Sequence, residues 1–268
     1  MIIAQISDMH IVAPGQLAYR RVDTAWYLAR AVEQLLKMTP RADIVLATGD
    51  LVDAGRPEEY QHLRELLAPL PMPVYLIPGN HDERSALADV FADHAYLPRA
   101  GEFLHYVLDQ YPLRLIALDT LVAGHPGGLM CEERCAWLAA RLEEARTRPT
   151  VILMHHPPFR TGIEHMDRYG LEGSERLAEV VGRHPQIERI LCGHLHRPIQ
   201  ARWSGTLAMT SPSTAHQVAL DLRDGGPLAF VMEPPAFQIH AWLDGVGLVT
   251  HTGYIGEFPG PYPFRESG

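Results

Sequence analysis

The chain has 268 residues, 47% of them hydrophobic and 21% charged, with a formal net charge of −9. This composition is ordinary for a globular protein, and the acidic balance argues against a general nucleic-acid binder, which needs Lys and Arg to neutralise phosphates. Three cysteines give no disulfide framework, and no apolar run reaches the roughly 18–20 residues that span a bilayer. The first residues, MIIAQISDMH, are expected to form a strand rather than a signal peptide, so the expected location is cytoplasmic.

Short apolar runs alternate with amphipathic stretches in the first two thirds of the chain, which predicts an α/β architecture. The runs are nearly all apolar, as expected for strands that are buried on both faces. The predicted strands are 2–7, 43–49, 74–79, 113–119, 150–155 and 189–193. The predicted helices are 25–38, 57–70, 135–148 and 174–184.

From about residue 201 the pattern changes to successive strands with little helix between them. The strands predicted in this region are 206–211, 217–222, 236–243 and 247–256. We expect residues 201–256 to supply mainly a second, largely antiparallel sheet that packs on the first. The tail 257–268 is rich in Pro and Gly and is expected to be an irregular arm. The sequence shows no internal repeat or linker, so residues 1–268 are expected to form a single domain.

Polar side chains stand directly after five of the predicted strands. They are Asp8, His10, Asp50, Asn80, His81, His155, His194 and His196. Taken singly, each has an ordinary explanation, since an aspartate after a strand often caps a helix. Because ligands of open parallel sheets bind outside the carboxyl ends of the strands, we expect these loops to converge. Carboxylate, amide oxygen and imidazole are ligands that suit Mn, Fe, Co or Zn, so the joint pattern predicts a metal site.

Seven of these side chains are candidate metal ligands, which is too many for one tetrahedral ion. They suit two ions that share one carboxylate, and such two-metal sites hold ions roughly 3.5–4 Å apart and act on phosphoryl groups. Neither a G-x-S-x-G motif nor a phosphate-loop lysine occurs in the sequence. The sequence signatures of serine hydrolases and of nucleoside triphosphatases are therefore missing.

Residues 8–196 resemble the calcineurin-like metallophosphoesterases, whose motifs D-x-H, G-D, G-N-H-D/E, H and G-H-x-H occur here in order. They stand as Asp8-Met9-His10, Gly49-Asp50, Gly79-Asn80-His81-Asp82, His155 and Gly193-His194-Leu195-His196. Within that superfamily the chain is most similar to the class III cyclic-nucleotide phosphodiesterases and the bacterial glycerophosphodiesterases. The segments that carry this closer likeness are GRPEEY (55–60), LIPGNHD (76–82), MHHPP (154–158) and AHQV (215–218).

The resemblance implies a four-layer α/β/β/α sandwich of two mixed sheets flanked by helices, and a dinuclear phosphodiesterase in which a hydroxide on the metals attacks phosphorus in line. The implied ligands are Asp8, His10 and His196 for one ion and Asn80, His155 and His194 for the other, with Asp50 bridging. His81, beside the ligand Asn80, would contact the phosphate and assist the leaving oxygen. His216 would be a further histidine on the substrate side, near the second ion.

The resemblance also implies small diesters as substrates, such as glycerophosphodiesters or 3',5'-cyclic nucleotides, and a homo-oligomer of two or more chains. Neither nucleic acid nor a membrane is expected as a partner. The stretch GDLVDAG lacks the arginine of the protein phosphatase motif and the tyrosine of the purple acid phosphatases, which disfavours phosphoproteins and a tyrosinate-bound iron. The alternatives that stay open are a phosphomonoesterase, a nuclease or an inactive scaffold that binds without turnover.

Four residues near the motifs have competing explanations. Asp53 and Asp82 are candidates for orienting ligand histidines, and capping of backbone groups explains them equally well. His156 is expected to pack beside the site rather than to bind a metal ion. Cys192 precedes the turn at Gly193, and the ligand set is complete without it, so it is assigned to the strand interior.

Overall fold

The computed structural model describes residues 1–265, so the last three residues of the predicted C-terminal arm lie outside the described part of the chain. The helices are α1 (Thr24–Lys37), α2 (Pro57–Leu67), α3 (Arg84–Val90), α4 (Glu132–Glu143), α5 (Glu164–Asp167) and α6 (Ser174–Gly182). The strands of the first half are β1 (Ile2–Ile6), β2 (Ile44–Thr48), β3 (Val74–Ile77), β4 (Tyr106–Leu108), β5 (Arg114–Ala117) and β6 (Gly128–Leu129). Those of the second half are β7 (Thr150–Leu153), β8 (Leu171–Glu172), β9 (Ile187–Cys192), β10 (Gln200–Trp203), β11 (Thr206–Thr210), β12 (Gln217–Val218), β13 (Phe230–Val231), β14 (Ala236–Leu243) and β15 (Gly247–Tyr254).

Two large sheets form the centre of the molecule. The first has the strand order β15-β14-β1-β2-β3, and the second has the order β10-β11-β9-β7-β5-β4. In the first sheet β1, β2 and β3 are parallel, whereas β14 and β15 pair antiparallel. In the second sheet the neighbours β11, β9, β7 and β5 are parallel and the two edge strands are antiparallel. Both sheets are therefore mixed, as the resemblance implied.

The assignment of strands 201–256 to a separate antiparallel sheet is wrong. The hairpin β14–β15 completes the first sheet, where His240 stands opposite Ile3, while β10 and β11 extend the second sheet beside β9. The six apolar strands predicted earlier in the chain are likewise divided, three to each sheet. An apolar run predicts that a strand is buried, but it carries no information on which strand lies next to it.

The four layers follow from alternation along the strands of the second sheet. Val151 and Leu153 of β7 pack in the large core that also contains the first sheet and the inner faces of α1 and α2. Ile152, which lies between them, packs on the opposite face with Leu138 of α4 and Leu177 of α6. The sheets thus face each other and helices cover both outer faces, so the predicted α/β/β/α sandwich is confirmed.

The helices are amphipathic at helical spacing, and α1 shows how. The Asp23 carboxylate accepts a hydrogen bond from the Trp26 backbone N–H and caps the helix, and Leu28, Val32 and Leu35 bury one face. Predicted boundaries differ by a few residues: α4 begins at Glu132 rather than 135 and ends at Glu143. Of all helices within residues 1–265, not one has the length and apolar character needed to cross a membrane.

Candidate metal centre

The predicted site residues lie in the segments that directly follow β1, β2, β3, β7 and β9. Three of these strands belong to the first sheet and two to the second. The carboxyl ends of these strands lie at the same end of the two facing sheets, which brings loops from distant parts of the chain together. Six of the seven predicted ligands are buried, each with at most 6% of its surface exposed, and only Asn80 is partly exposed.

The first group consists of Asp8, His10, Asp50 and His196, whose ligand atoms all lie within 4.8 Å of one another. His10 Nε2 lies 3.6 Å from Asp50 Oδ2, and His196 Nε2 lies 3.6 Å from Asp8 Oδ1. The two imidazole Nε2 atoms are 3.2 Å apart. Two carboxylates and two imidazoles therefore converge on one small volume.

The second group is built around His155, His194 and Asn80. His155 Nε2 lies 3.1 Å from Asn80 Oδ1 and 3.4 Å from Asp50 Oδ1, and a ligand nitrogen of His155 lies within 4.8 Å of one of His194. Asp50 thus directs Oδ2 to the first group and Oδ1 to the second. This is the position that a bridging carboxylate needs.

Five of the seven predicted ligands have backbone conformations in the left-handed region. Their φ angles are 52° for Asp8, 45° for His10, 44° for Asp50, 70° for His194 and 51° for His196. Strand β1 ends at Ile6, one residue before the end of the predicted strand 2–7, so strand geometry does not continue through Asp8 and His10. The chain turns sharply instead, and the ligand atoms of Asp8 and His10 come within 4.8 Å of those of Asp50 and His196.

Hydrogen bonds to backbone carbonyls orient the imidazoles. His155 Nδ1 lies 2.9 Å from the Thr48 carbonyl oxygen and His196 Nδ1 lies 3.0 Å from that of His216, so in each ring it is Nε2 that faces the other candidate ligands. In His194 the Nε2 atom lies 3.1 Å from the Tyr169 carbonyl oxygen, which leaves Nδ1 free. Partners of this kind fix the ring and the tautomer of histidines that bind metal ions.

Burial and neighbouring charges set the charge states of these groups. Burial lowers the pKa of His194 to about 3, assisted by His155, so the His194 imidazole is neutral at pH 7, the form that binds cations. Burial opposes charge on His155, but the Asp50 carboxylate outweighs it and raises the pKa of His155 to about 9. The same attraction holds the pKa of Asp50 well below its usual value, although burial acts against it.

The donor set fits divalent cations. Asp8 Oδ2 is buried and has no hydrogen-bond donor among the described residues, an arrangement that costs free energy unless a cation or water satisfies it. Carboxylate, amide oxygen and imidazole together match the preferences of Mn, Fe, Co and Zn. The two groups joined through Asp50 fit a dinuclear divalent metal site.

Asp53, Asp82 and His156 support the site in different ways. Asp53 Oδ1 lies 3.3 Å from His10 Nδ1, whereas Asp82 accepts hydrogen bonds from the backbone N–H groups of Leu51, Val52 and Gly79. Both nitrogens of His156 are engaged, Nδ1 at 2.8 Å from Thr120 Oγ1 and Nε2 at 3.1 Å from the Pro126 carbonyl oxygen. His156 therefore packs beside the ligands, as expected, although its ring nitrogens lie close to theirs.

His216 is buried beside the first group rather than the second, which corrects the expected position. Its ring centroid lies 4.7 Å from that of His196 and 5.4 Å from that of His10. Tyr19 and Phe230 flank it, with centroids 5.1 Å and 5.2 Å away. Neither Tyr19 nor Phe230 directly follows a predicted strand, and no sequence motif identifies them as residues of the site.

His81 and the two groups open into one pocket of about 350 Å³. The His81 backbone N–H donates to Asp50 Oδ1 at 2.9 Å, and its Nδ1 lies 2.7 Å from the Asp53 carbonyl oxygen. The side chain is 34% exposed, so its Nε2 remains accessible from the pocket. Cys192, in contrast, is fully buried at the end of β9, as assigned from the sequence.

A buried pair of Asp/His groups at the strand ends of an α/β/β/α sandwich defines a metallophosphoesterase. The model of the calcineurin-like phosphoesterase family matches residues 1–198, and the chain belongs to that family. It is 41% identical over 270 residues to a probable glycerophosphodiester phosphodiesterase, GpdQ, of Arcobacter nitrofigilis, which covers 100% of this chain and 98% of that protein.

Two further likenesses are more distant. The chain is 32% identical over 216 residues to the 3',5'-cyclic adenosine monophosphate phosphodiesterase CpdA of Escherichia coli K12, across 80% of this chain and 76% of that protein. Among solved structures, a dimetal phosphatase from Danio rerio superposes with a TM-score of 0.66 at 15% identity, across 96% of this chain and 99% of that one. That last likeness bears on the fold alone.

Proposed function

We propose that this chain is a dinuclear metal-dependent phosphodiesterase that hydrolyses small diesters, such as glycerophosphodiesters or 3',5'-cyclic nucleotides. The observation that carries the proposal is the pair of buried groups that share Asp50 at the floor of one pocket. The full-length likeness to a probable glycerophosphodiester phosphodiesterase supports the same reaction class.

The charge of the pocket favours a diester over a monoester. Among the described residues that line it there is no Lys or Arg, and Asp50 is the only carboxylate. A monoester dianion would bring one more negative charge than a diester monoanion, without a Lys or Arg side chain among the described lining residues to meet it. Two divalent cations beside two aspartates would leave a net charge of about +2, which attracts either ester, so the preference for a diester rests on the lack of Lys and Arg in the described lining.

In this proposal Asp8, His10 and His196 would hold one cation and Asn80, His155 and His194 the other, with Asp50 shared. When bound, the cations supply a nucleophile from water at neutral pH and neutralise charge on the phosphate. The pair is drawn from Mn, Fe, Zn and Co, the metals that this ligand set suits. Asp8 and Asp50 also accept the backbone N–H groups of His194 and His81, which fixes the loops that carry the ligands.

His81 would hold a proton for the leaving alkoxide oxygen. Its Nδ1 is engaged by the Asp53 carbonyl oxygen, which leaves Nε2 as the nitrogen that can donate. Burial opposes a charge on the ring, but Asp50 and Asp53 outweigh it and raise the pKa of His81 above its ordinary value. A protonated imidazole at the pocket is suited to general-acid assistance, which contributes typically 10²–10⁴-fold to a rate.

The test is a comparison of kcat/KM on bis(p-nitrophenyl) phosphate, p-nitrophenyl phosphate and single-stranded DNA after reconstitution with Mn or Zn. The small diester should be the best of the three. A higher value on the monoester would assign the chain to the phosphomonoesterases instead, and preference for DNA would make it a nuclease. A fully reconstituted protein that turns over none of them would support an inactive scaffold.

Location and assembly are further parts of the proposal. The three cysteines are free and two of them are buried, which suits a reducing cytoplasm. A homo-oligomer of two or more chains is inferred from the resemblance, and chromatography coupled to light scattering would measure it. The single-domain interpretation also stays a prediction, which one cooperative unfolding transition would support.

A further inference from the structure

One side of the pocket is apolar. It is formed by Tyr19, Met166, Val218, Leu228 and Phe230, here called the apolar wall. The pocket that these side chains line is the same one that His10 and Asp50 line. The proposed metal binding and proton transfer involve none of these five side chains, so the presence of the apolar wall needs a separate explanation.

The register of a short ribbon fixes the wall. Strands β12 and β13 pair antiparallel so that Val218 stands opposite Phe230, and the Ala219 N–H donates to the Ala229 carbonyl oxygen at 2.9 Å. His216 directly precedes β12, so the ribbon and the buried histidine are positioned together. The predicted strand 217–222 shortens to Gln217–Val218, and residues 219–229 leave the ribbon as a loop.

Two small apolar clusters anchor the wall to the site. Val218 and Met166 pack with Leu195, which stands between the predicted ligands His194 and His196. Phe230 packs against Val12, Ala18 and Val22, which follow β1 and precede α1. Met166, Val218 and Phe230 are therefore held by segments that also hold the ligands, and of the five wall residues Leu228 alone lies on the loop.

The wall lies within reach of a substituent on phosphorus. The Phe230 and Tyr19 rings contact His216, whose centroid is 4.7 Å from that of His196. Leu228 is 61% exposed and Tyr19 is 48% exposed, so apolar surface at the pocket remains in contact with water. Covering that surface with an apolar group would be favourable, whereas hydroxyl groups placed against it would lose hydrogen bonds to water.

We propose that the apolar wall binds the alcohol portion of the diester and selects an apolar, ring-bearing alcohol over glycerol. The inference rests on the proposed diesterase function and narrows its substrate class. Tyr19 and Phe230 supply ring faces, and Met166, Val218 and Leu228 supply aliphatic surface around them. Because Lys and Arg are lacking from the described lining, a second anionic group on the alcohol would find no Lys or Arg partner there.

The experiment measures kcat/KM on three glycerophosphodiesters that share one glyceryl group and carry glycerol, benzyl alcohol or choline as the second alcohol. None of these alcohols is an activated leaving group, so the ratios report mainly on binding of the second alcohol. The benzyl ester should exceed the glyceryl ester by about tenfold, the scale on which an apolar pocket discriminates. Leu228→Ala and Phe230→Ala should bring this ratio close to one.

Leu222→Ala is the matched control. Leu222 is 64% exposed on the same loop as Leu228, but it does not line the pocket, so its truncation should leave the ratio unchanged. Because Leu228 is largely exposed, Leu228→Ala is expected to fold even if Phe230→Ala does not. Equal efficiency on the glyceryl and benzyl esters, or the highest efficiency on the choline ester, would overturn the inference and leave the diesterase function intact. Hydrolysis of none of the three would overturn the inference, and if bis(p-nitrophenyl) phosphate is not hydrolysed either, the result would contradict the proposed function as well.

Discussion

At the scale of single residues, the site is organised by left-handed turns at side chains that bear ligand atoms. A non-glycine residue in this conformation lowers the folding stability by of order 1–3 kcal/mol, and Asp8, Asp50 and His194 each adopt it. Hydrogen bonds offset part of it, since the Asp8 carboxylate accepts the His194 N–H at 2.8 Å and Asp50 accepts the His81 N–H at 2.9 Å. The carboxylates thus hold the loops as well as presenting oxygens to a cation.

The packing around the His155 ring can be tested by a substitution at Gly49. Gly49 has a φ of +90°, and a Cβ there would overlap the His155 ring. Gly49→Ala should lower the activity on bis(p-nitrophenyl) phosphate at least tenfold, because His155 must move away from Asn80 and Asp50.

Gly15→Ala is the control for the strain alone, since Gly15 has a φ of +79° with no atom within 4 Å of a Cβ. In urea titration Gly15→Ala should lose about 1 kcal/mol of unfolding free energy from the left-handed alanine, and Gly49→Ala should lose more because its Cβ also overlaps the His155 ring. Equal activities of the two variants on bis(p-nitrophenyl) phosphate would contradict the requirement for an unsubstituted Cα beside the His155 ring.

At the scale of elements, the longer apolar strands and the helices α1, α2, α4 and α6 were predictable, whereas the short elements such as α3 and the partners of the strands were not. The sequence predicts β1, β2, β7, β9 and these four helices within a few residues of their observed bounds. This is possible because burial imposes a pattern of apolar residues on the local sequence of each element. Pairing depends on contacts between distant segments, such as β14 with β1, and local pattern does not encode them. Strand β12 was predicted too long, as 217–222, and its partner β13 was missed because it has only two residues.

His240 of β14 joins three strands of the first sheet and gives them a pH dependence. It is fully buried, with Nε2 at 3.0 Å from Gln5 Oε1 and Nδ1 at 2.9 Å from Thr250 Oγ1. Burial, assisted by Arg189, lowers the pKa of His240 to about 3, below its ordinary value of about 6.5. Between these pH values the unfolded chain binds a proton that the folded chain excludes, so the stabilisation is present above pH 6.5 and is lost as the pH falls toward 3.

His240→Gln keeps the hydrogen-bonding groups and removes the titration. Below pH 6.5 the wild type should lose up to about 1.4 kcal/mol of unfolding free energy per pH unit more than this variant. Urea titrations of both proteins between pH 7 and 4.5, with chelator present so that metal binding does not contribute, would measure the difference. Parallel pH profiles would contradict the buried neutral state of His240.

At the scale of the whole molecule, the site exists because two sheets bring five strand ends together. The convergence of the seven candidate ligands was predictable, since Asp, Asn and His follow five buried strands in an ordered pattern. The apolar wall was not, because Tyr19 and Phe230 are ordinary apolar residues until the fold sets them beside His216. The position of His216 beside the first group rather than the second likewise depends on long-range packing.

The most direct test of the central claim is the number of metal ions per chain in the wild type and in His194→Ala. After reconstitution with Mn or Zn and removal of free metal, elemental analysis should give two ions for the wild type and one for His194→Ala, because only the second group loses a ligand. His251→Ala, which removes an exposed histidine of β15, should retain two. One ion in the wild type, or two in His194→Ala, would contradict a dinuclear site shared through Asp50.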